Sequence, residues 1–242
     1  DDYPTFIIAE IGNNHNGSLE LARKLVDAAV LAGANCAKFQ MRDLETLYRN
    51  SGDSDQSNED LGSQYTFDLL SRFQLKSEEM FDIFNYCHEK QIIPLCTPWD
   101  LVSLNLLETF GMKAYKLASA DLTNHILLKE ICKTGKPLIC STGMATESEI
   151  STSVELLKKN GANFALLHCN STYPAPFKDI NLSYLSQLKK IGGNCPIGYS
   201  GHERGVSVPV AAVSLGARII EKHFTLDKSM EGNDHKVSLL PQ

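Results

Sequence analysis

Short runs rich in β-branched and other apolar residues alternate along this chain with stretches whose apolar positions recur at helical spacing, and the alternation repeats eight times. The runs predict strands over Thr5–Ile11, Asn35–Gln40, Ile92–Thr97, Lys113–Ala118, Pro137–Ser141, Asn163–Cys169, Pro196–Ser200 and Ala217–His223. Between them Leu21, Leu25, Ala28, Ala29 and Ala32 recur at helix spacing, as do Val154, Leu157 and their neighbours, and a further helix is predicted over Glu78–Lys90. Gly33, Gly111, Gly135, Gly161 and Gly216 each stand just before a predicted strand, where a left-handed residue closes a helix. Repeated strand-helix units imply a parallel sheet. No G-x-G-x-x-G opens the first helix, so the expected fold is α/β, a closed (β/α)8 TIM barrel forming a single domain over residues 1–242, rather than an open doubly wound sheet.

Two stretches break the pattern. From about Met41 to Ser77 the periodicity is weak, and the centre from Ser51 to Asp60 is acidic and serine-rich. A connection that long is either a solvated loop or a lid, with Tyr48, Arg49 and Tyr65 as the groups to touch a substrate. After the eighth strand, Thr225–Gln242 holds no helix-period segment, so an eighth helix is missing from the pattern. Either the chain is a piece of a longer protein or a partner covers the gap. The gap predicts an exposed apolar groove formed partly by Ile219, with self-association or lowered stability as its consequence.

Composition narrows the classes. The 242 residues are 43% hydrophobic and 21% charged, enough for one large core. A net charge of −6, with no stripe of lysines and arginines, argues against a nucleic-acid partner. With no apolar stretch of the roughly 20 residues a bilayer requires, and a start Asp1-Asp2-Tyr3-Pro4 unlike a signal peptide, no membrane association and a cytoplasmic location are expected. The seven cysteines are odd in number and include no C-x-x-C pair, and they read as reduced core residues.

The strand ends carry the chemistry: Glu10, Lys38 with Gln40, Thr97, Lys116 with Ser119, Ser141, Ser171 with Tyr173, Ser200 with His202, and His223. In a parallel barrel these ends converge on one face, where such barrels place their active sites. His202 and His223 end adjacent strands and could share a divalent ion, with Glu10 and Asp234 as nearby carboxylates; two hydrogen-bonded histidines without metal is the equal alternative. Lys38 and Lys116 lie within apolar strands, where an ammonium must find an anion or reach water. Beside Thr97, Ser119, Ser141 and Ser200 they make a case for a bound phosphate and carboxylate, against strand-end caps or a Schiff-base lysine. His15 reads as turn scaffolding, His168 as structural, His88 as outside the site, and Tyr173 as one wall of the barrel mouth.

Taken together and in order, Ile8-Ala9-Glu10-Ile11-Gly12-Asn13-Asn14-His15-Asn16-Gly17, Lys38-Phe39-Gln40, Lys116-Leu117-Ala118-Ser119-Ala120-Asp121, Ser141-Thr142-Gly143-Met144, Ser200-Gly201-His202, Glu221-Lys222-His223-Phe224-Thr225 and Gly232-Asn233-Asp234-His235 resemble the sialic acid synthase family. The likeness covers nearly the whole chain. It implies condensation of phosphoenolpyruvate (PEP) with an N-acylated mannosamine or related hexose, giving a nine-carbon sugar acid and phosphate by C–O cleavage. By the same resemblance Lys38 would hold the PEP carboxylate, and Thr97, Lys116, Ser119, Ser141 and Ser200 its phosphate. His202 and His223 would ligate Mn²⁺, with Mg²⁺ or Co²⁺ as alternatives. Glu10 and Asp234 join the two lysines as catalytic groups, and Gln40, Asp121, Ser171 and Tyr173 face the sugar.

Two departures leave the acceptor open: Ser171 stands where some bacterial members have Asn, and Gly201 where they have Asp. The family's C-terminal antifreeze-like domain, which reaches across a homodimer to donate an arginine to the partner's site, is absent from this chain. The resemblance therefore implies PEP binding with poor turnover for the chain alone. Two rival readings remain: a PEP-dependent synthase acting on a phosphorylated aldose, for which Arg42, Arg49, Arg72 and Arg204 are the available cations, and a non-catalytic binding barrel.

Overall fold

The computed structural model describes residues 3–47 and 68–242. Tyr48, Arg49 and Tyr65, named above for the loop or lid, lie outside the described residues. The described chain runs β1 (Phe6–Gly12), α1 (Leu19–Leu31), β2 (Cys36–Met41), α2 (Ser77–Glu89), β3 (Ile93–Pro98), α3 (Leu101–Phe110), β4 (Tyr115–Leu117), α4 (His125–Lys133), β5 (Leu138–Ser141), α5 (Glu147–Lys159), β6 (Phe164–Cys169), α6 (Tyr184–Gly192), β7 (Ile197–Gly201), α7 (Ser207–Ser214) and β8 (Ile219–His223), with short helical turns between. The eight strands form one closed barrel in sequence order, each parallel to its neighbours, with β8 closing on β1. This is the TIM-type barrel that the sequence predicts.

Local chemistry sets the helix ends. The side chains of Ser18, Asp100 and Asn124 accept hydrogen bonds from the first-turn amides of α1, α3 and α4. Thr146 and Glu149 close a reciprocal capping box on α5. Gly111 ends α3 in the left-handed region, at φ 85°, where a Cβ would be strained.

Strand alternation divides the apolar residues into two layers. Ile8, Cys36, Leu95, Ala165, Leu167 and Ile219 point inward and fill the barrel floor. Ala37, Phe39, Leu117, Cys140, Leu166, Tyr199 and Ile220 belong to the larger layer between strands and helices. Ile219 therefore cannot form the outer groove expected of it. It stands two and four residues before Glu221 and His223, shares their inward face, and leaves Ile220 to face outward. Exposed apolar side chains include Ile7 on β1, Val210 and Val213 on α7, and Val206 and Leu215 at the two ends of that helix.

The segment after β8 also differs from expectation, because it holds a short helix, Asn233–Val237. Gly232, at φ 131°, precedes it, and five residues give no room for the two or more turns a helical period needs to register in sequence. All seven cysteines are free, five of them buried. Among the described residues no helix is long and apolar enough to cross a membrane.

Candidate active site

Above the apolar floor the barrel opens at the C-terminal ends of its strands into a cavity of about 150 Å³. Its walls include Glu10, Lys38, Gln40, Thr97, Lys116, Ser119, Ser141, Ser171, Tyr173, Ser200, His202 and His223. Asp121, on the helical turn Ser119–Asp121, and Asp234, on the short helix, stand outside that lining. Register explains the convergence: Glu10 lies opposite Lys38 on one side and His223 on the other, Gln40 opposite Thr97, and Ser200 opposite Glu221.

Four buried charges occupy the centre. Lys38 Nζ is 2.9 Å from Glu10 Oε2 and 3.6 Å from Glu221 Oε2, while Lys116 Nζ is 3.5 Å from Glu221 Oε1. Glu10 Oε1 accepts a 2.6 Å hydrogen bond from Gln40, and Ser200 Oγ donates to Glu221 Oε1 at 3.1 Å. Burial disfavours both ammonium groups, but they part company. Glu10 and Glu221 outweigh burial at Lys38 and raise its pKa; at Lys116 burial prevails, reinforced by Lys38, and the pKa is lowered. Burial would also push the Glu221 carboxyl up, yet Lys116 and Lys38 outweigh it and hold it well below the usual carboxylate range.

Lys116 is thus a buried cation whose nearest carboxylate is shared and stands beyond good hydrogen-bonding distance. The Ser141 hydroxyl is buried without a partner, and the Thr97 hydroxyl accepts weakly from Lys38 at 3.4 Å. A buried ammonium and hydroxyls in that condition are what an oxyanion completes.

The two histidines stand beside this cluster with ring centroids 5.3 Å apart. His202 Nδ1 contacts the Asn170 carbonyl at 2.6 Å, which must accept, so Nδ1 carries the proton and Nε2 presents a lone pair. That lone pair takes the Tyr173 hydroxyl at 2.7 Å, with the two rings stacked 4.0 Å apart. Burial holds His202 neutral by lowering its pKa to about 3. His223 Nδ1 is buried without a hydrogen-bond partner, 3.7 Å from Asp234 Oδ2. A neutral imidazole oriented by a backbone carbonyl, next to an orphaned ring nitrogen, fits a divalent ion. Among the described residues no group of three or more His, Cys, Asp and Glu converges as a metal cage, so protein ligation would rest on the pair.

A second buried ion pair holds the tips that carry these histidines. Lys222 Nζ donates to the Glu203 carbonyl at 2.5 Å and pairs with its carboxylate at 3.1 Å, and the Tyr199 hydroxyl donates to the same carboxylate at 2.6 Å. Glu203 follows His202 and Lys222 precedes His223. A Cβ on Gly201 would lie 2.7 Å from the Glu203 carboxylate, so the side chain missing at 201 leaves the space that Glu203 fills.

The remaining predicted groups divide cleanly. His15 is buried in the β1–α1 turn, where its Nδ1 accepts from the Gly17 amide and burial lowers its pKa to about 4. His168 Nε2 donates to the Ile180 carbonyl at 2.6 Å, and its neighbour Cys169 takes the cavity face. His88 stacks on Phe110 in the helical layer. Arg42 lies 4.3 Å over the Trp99 ring and bonds Gln40 and Asn13. Arg72 pairs with Glu231 at the surface.

Sequence reasoning missed Glu221 and Trp99, both of which line the cavity. Glu221 was within reach, because alternation puts it on the face of His223 two residues on. Trp99, one residue beyond β3, carried no such signal.

The NeuB family profile matches residues 25–242. An N,N'-diacetyllegionaminic acid synthase of Campylobacter jejuni is 41% identical over 98% of this chain and 72% of its own length. A human N-acetylneuraminate-9-phosphate synthase is 34% identical over 99% of this chain and 67% of its own. The crystal structure of an N-acetylneuraminic acid synthetase from Leptospira borgpetersenii, in complex with citrate, superposes with a TM-score of 0.89 at 38% identity, covering 99% of this chain and 79% of that one.

Proposed function

The chain belongs to the NeuB family, and from that premise we propose that it condenses PEP with the aldehyde of an open-chain N-acylated hexosamine, releasing phosphate and a nine-carbon sialic-acid-type sugar. One observation carries the reading: two buried lysines share Glu221 beside a free Ser141 hydroxyl, next to a pair of histidines of which His202 is held neutral. The lysine side suits a phosphorylated carboxylic acid, and the histidine side suits a polarised carbonyl.

In this reading Lys38 receives the PEP carboxylate, and Lys116 with Thr97, Ser119, Ser141 and Ser200 receives its phosphate. His202 and His223 would hold a divalent ion, Mn²⁺ first and Mg²⁺ or Co²⁺ as alternatives, whose chemistry there is Lewis-acid polarisation of the acceptor's aldehyde oxygen. Gln40, Ser171 and Tyr173 line the wall available to the sugar, and Asp121, outside that lining on the turn that carries Ser119, would meet the sugar beyond it. C3 of PEP forms the new bond to the aldehyde carbon, and positive charge develops at C2, on the side of the site that Glu10 lines. Water adds at C2, giving up one proton to Glu10, which is held at its end of the site by Gln40 and Lys38. Asp234, beside His223, relays a proton from solvent to the new alkoxide, and Glu10 returns the proton it took to solvent. Collapse of the tetrahedral intermediate breaks the C2–O bond and expels phosphate, which leaves with the second proton of the water.

The test is acceptor-dependent phosphate release from PEP against a panel: N-acetylmannosamine, its 6-phosphate, a diacetamido-trideoxyhexose and arabinose 5-phosphate. Release with an N-acyl hexosamine supports the proposal. Release with arabinose 5-phosphate alone favours the phosphorylated-aldose reading, and PEP binding without release under any condition favours a binding barrel.

A further inference from the structure

Asp234 does not stand on a barrel strand. The chain leaves β8 at His223, and Asp234 sits in the first turn of the helix Asn233–Val237, near the end of the described chain. Backbone bonds between His223, Thr225 and Leu239 pin the base of this excursion. Its upper part is held at the surface by the Arg72–Glu231 ion pair and, beneath it, by groups from the far end of the sequence.

Two asparagines of the β1–α1 turn reach across. Asn14 Nδ2 donates to the Phe224 carbonyl and to Ser238 Oγ, each at 2.9 Å, and Ser238 Oγ in turn donates to the Asp234 carbonyl at 2.7 Å. Asn16 Nδ2 donates to the Glu231 carbonyl at 3.1 Å, and its Oδ1 meets His235 Nε2 at 2.9 Å. An amide oxygen can only accept, so His235 Nε2 carries the proton and Nδ1 accepts from the Thr225 hydroxyl at 2.7 Å. His235 and Thr225 are fully buried, and both nitrogens of the ring are used in holding the segment. Neither Asn14, Asn16 nor His235 lines the cavity.

We infer that Asn14, Asn16 and His235 are positioning residues for Asp234, a clasp that fixes its carboxylate beside His223. The asparagines grip residues on either side of Asp234, at Glu231 and Ser238, and His235 anchors the next residue in the chain. Asn16 takes up the left-handed region, at φ 47°, to present both ends of its amide. The inference rests on the proton role given to Asp234 above.

A double-mutant cycle with an activity-independent companion tests it. His235→Phe keeps the ring and removes both hydrogen bonds. Expected is a fall in kcat for acceptor-dependent phosphate release of about 10- to 100-fold, the scale of a misplaced catalytic group, with the Kd for PEP within about twofold by calorimetry. In an Asp234→Asn background the same change should cost nothing further. Multiplicative losses, or a wild-type kcat in His235→Phe, would overturn the clasp.

Amide hydrogen exchange supplies the second readout. Residues 226–240 should exchange faster in His235→Phe, with β2 to β7 unchanged; unchanged exchange across 226–240 would also overturn the inference. Because exchange needs no turnover, it decides the clasp even if the wild-type protein condenses PEP with no acceptor, which would sink the proposed function alone. If His235→Phe does not fold, Asn16→Ala, which removes one partner at a half-buried turn, is read by the same two measurements and criteria.

Discussion

Replacing Glu221 by glutamine should make the protein less stable and yet a better binder of PEP. Glu221 is the shared counter-ion of two buried lysines, 3.6 Å from Lys38 and 3.5 Å from Lys116. Glutamine keeps the shape and can still accept from Ser200, but it removes the charge. Lys38 retains Glu10 at 2.9 Å, whereas Lys116 is left without a carboxylate at comparable range. Removing one partner of a buried pair costs about 3–5 kcal/mol, because the other charge stays behind uncompensated. For a domain of this size that corresponds to a melting temperature lower by about 6–20 °C.

An incoming anion occupies the vacated electrostatic position, so part of the loss returns on binding. If PEP recovers about 1.4 kcal/mol of it, the affinity rises about tenfold. Calorimetric unfolding with and without saturating PEP or inorganic phosphate measures the first effect, and titration calorimetry the second. A Glu221→Gln protein as stable as wild type, or one that binds PEP more weakly, would refute the assignment of Glu221 as the resident counter-ion that substrate displaces.

Other consequences follow from the same geometry. Lys116→Ala should weaken PEP binding about 10- to 150-fold, the worth of a charge-assisted hydrogen bond at 1.5–3 kcal/mol; unchanged affinity by calorimetry would show Lys116 to be misplaced. His202→Ala and His223→Ala should each remove most activity while leaving the melting temperature within a few degrees, and full activity in excess chelator would exclude the metal reading. Stability should fall on acidification from about pH 6.5 to about 4. Burial lowers His15 from 6.5 to about 4, so in that window the unfolded chain binds a proton that the folded one refuses, worth about 3 kcal/mol. That stability is fully present above pH 6.5, and a flat urea midpoint between pH 7 and pH 4 would contradict it.

The barrel was legible because its signals are local. Strand alternation, helix spacing and a left-handed glycine before each of several strands repeat often enough to fix eight units, and all eight observed strands begin and end within two residues of expectation. β4 is shortened most, to Tyr115–Leu117, with Ala118 already extended into the turn that presents Ser119. The strand-end groups could be named in advance for the same reason: a parallel barrel brings every such end to one face.

What stayed hidden depends on pairings far apart in sequence. The bonds from Asn14 and Asn16 span more than 200 residues, and nothing in Asn13-Asn14-His15-Asn16 announces which of its polar groups face the turn and which face the other end of the chain. Ile219 and Glu221 illustrate a different failure. Alternation from His223 fixes the direction of both, and reading Ile219 as outward contradicts it.

The central claim is that PEP is joined to an N-acyl hexosamine with cleavage of its C2–O bond, and an isotope settles it most directly. PEP carrying ¹⁸O at the bridging position should be incubated with the protein and whichever acceptor supports phosphate release, and the phosphate examined by ³¹P NMR. The account predicts that the label appears in inorganic phosphate as an upfield isotope shift, with one nine-carbon keto acid formed per phosphate. Label retained in the organic product, or phosphate released without a matching sugar acid, would contradict it.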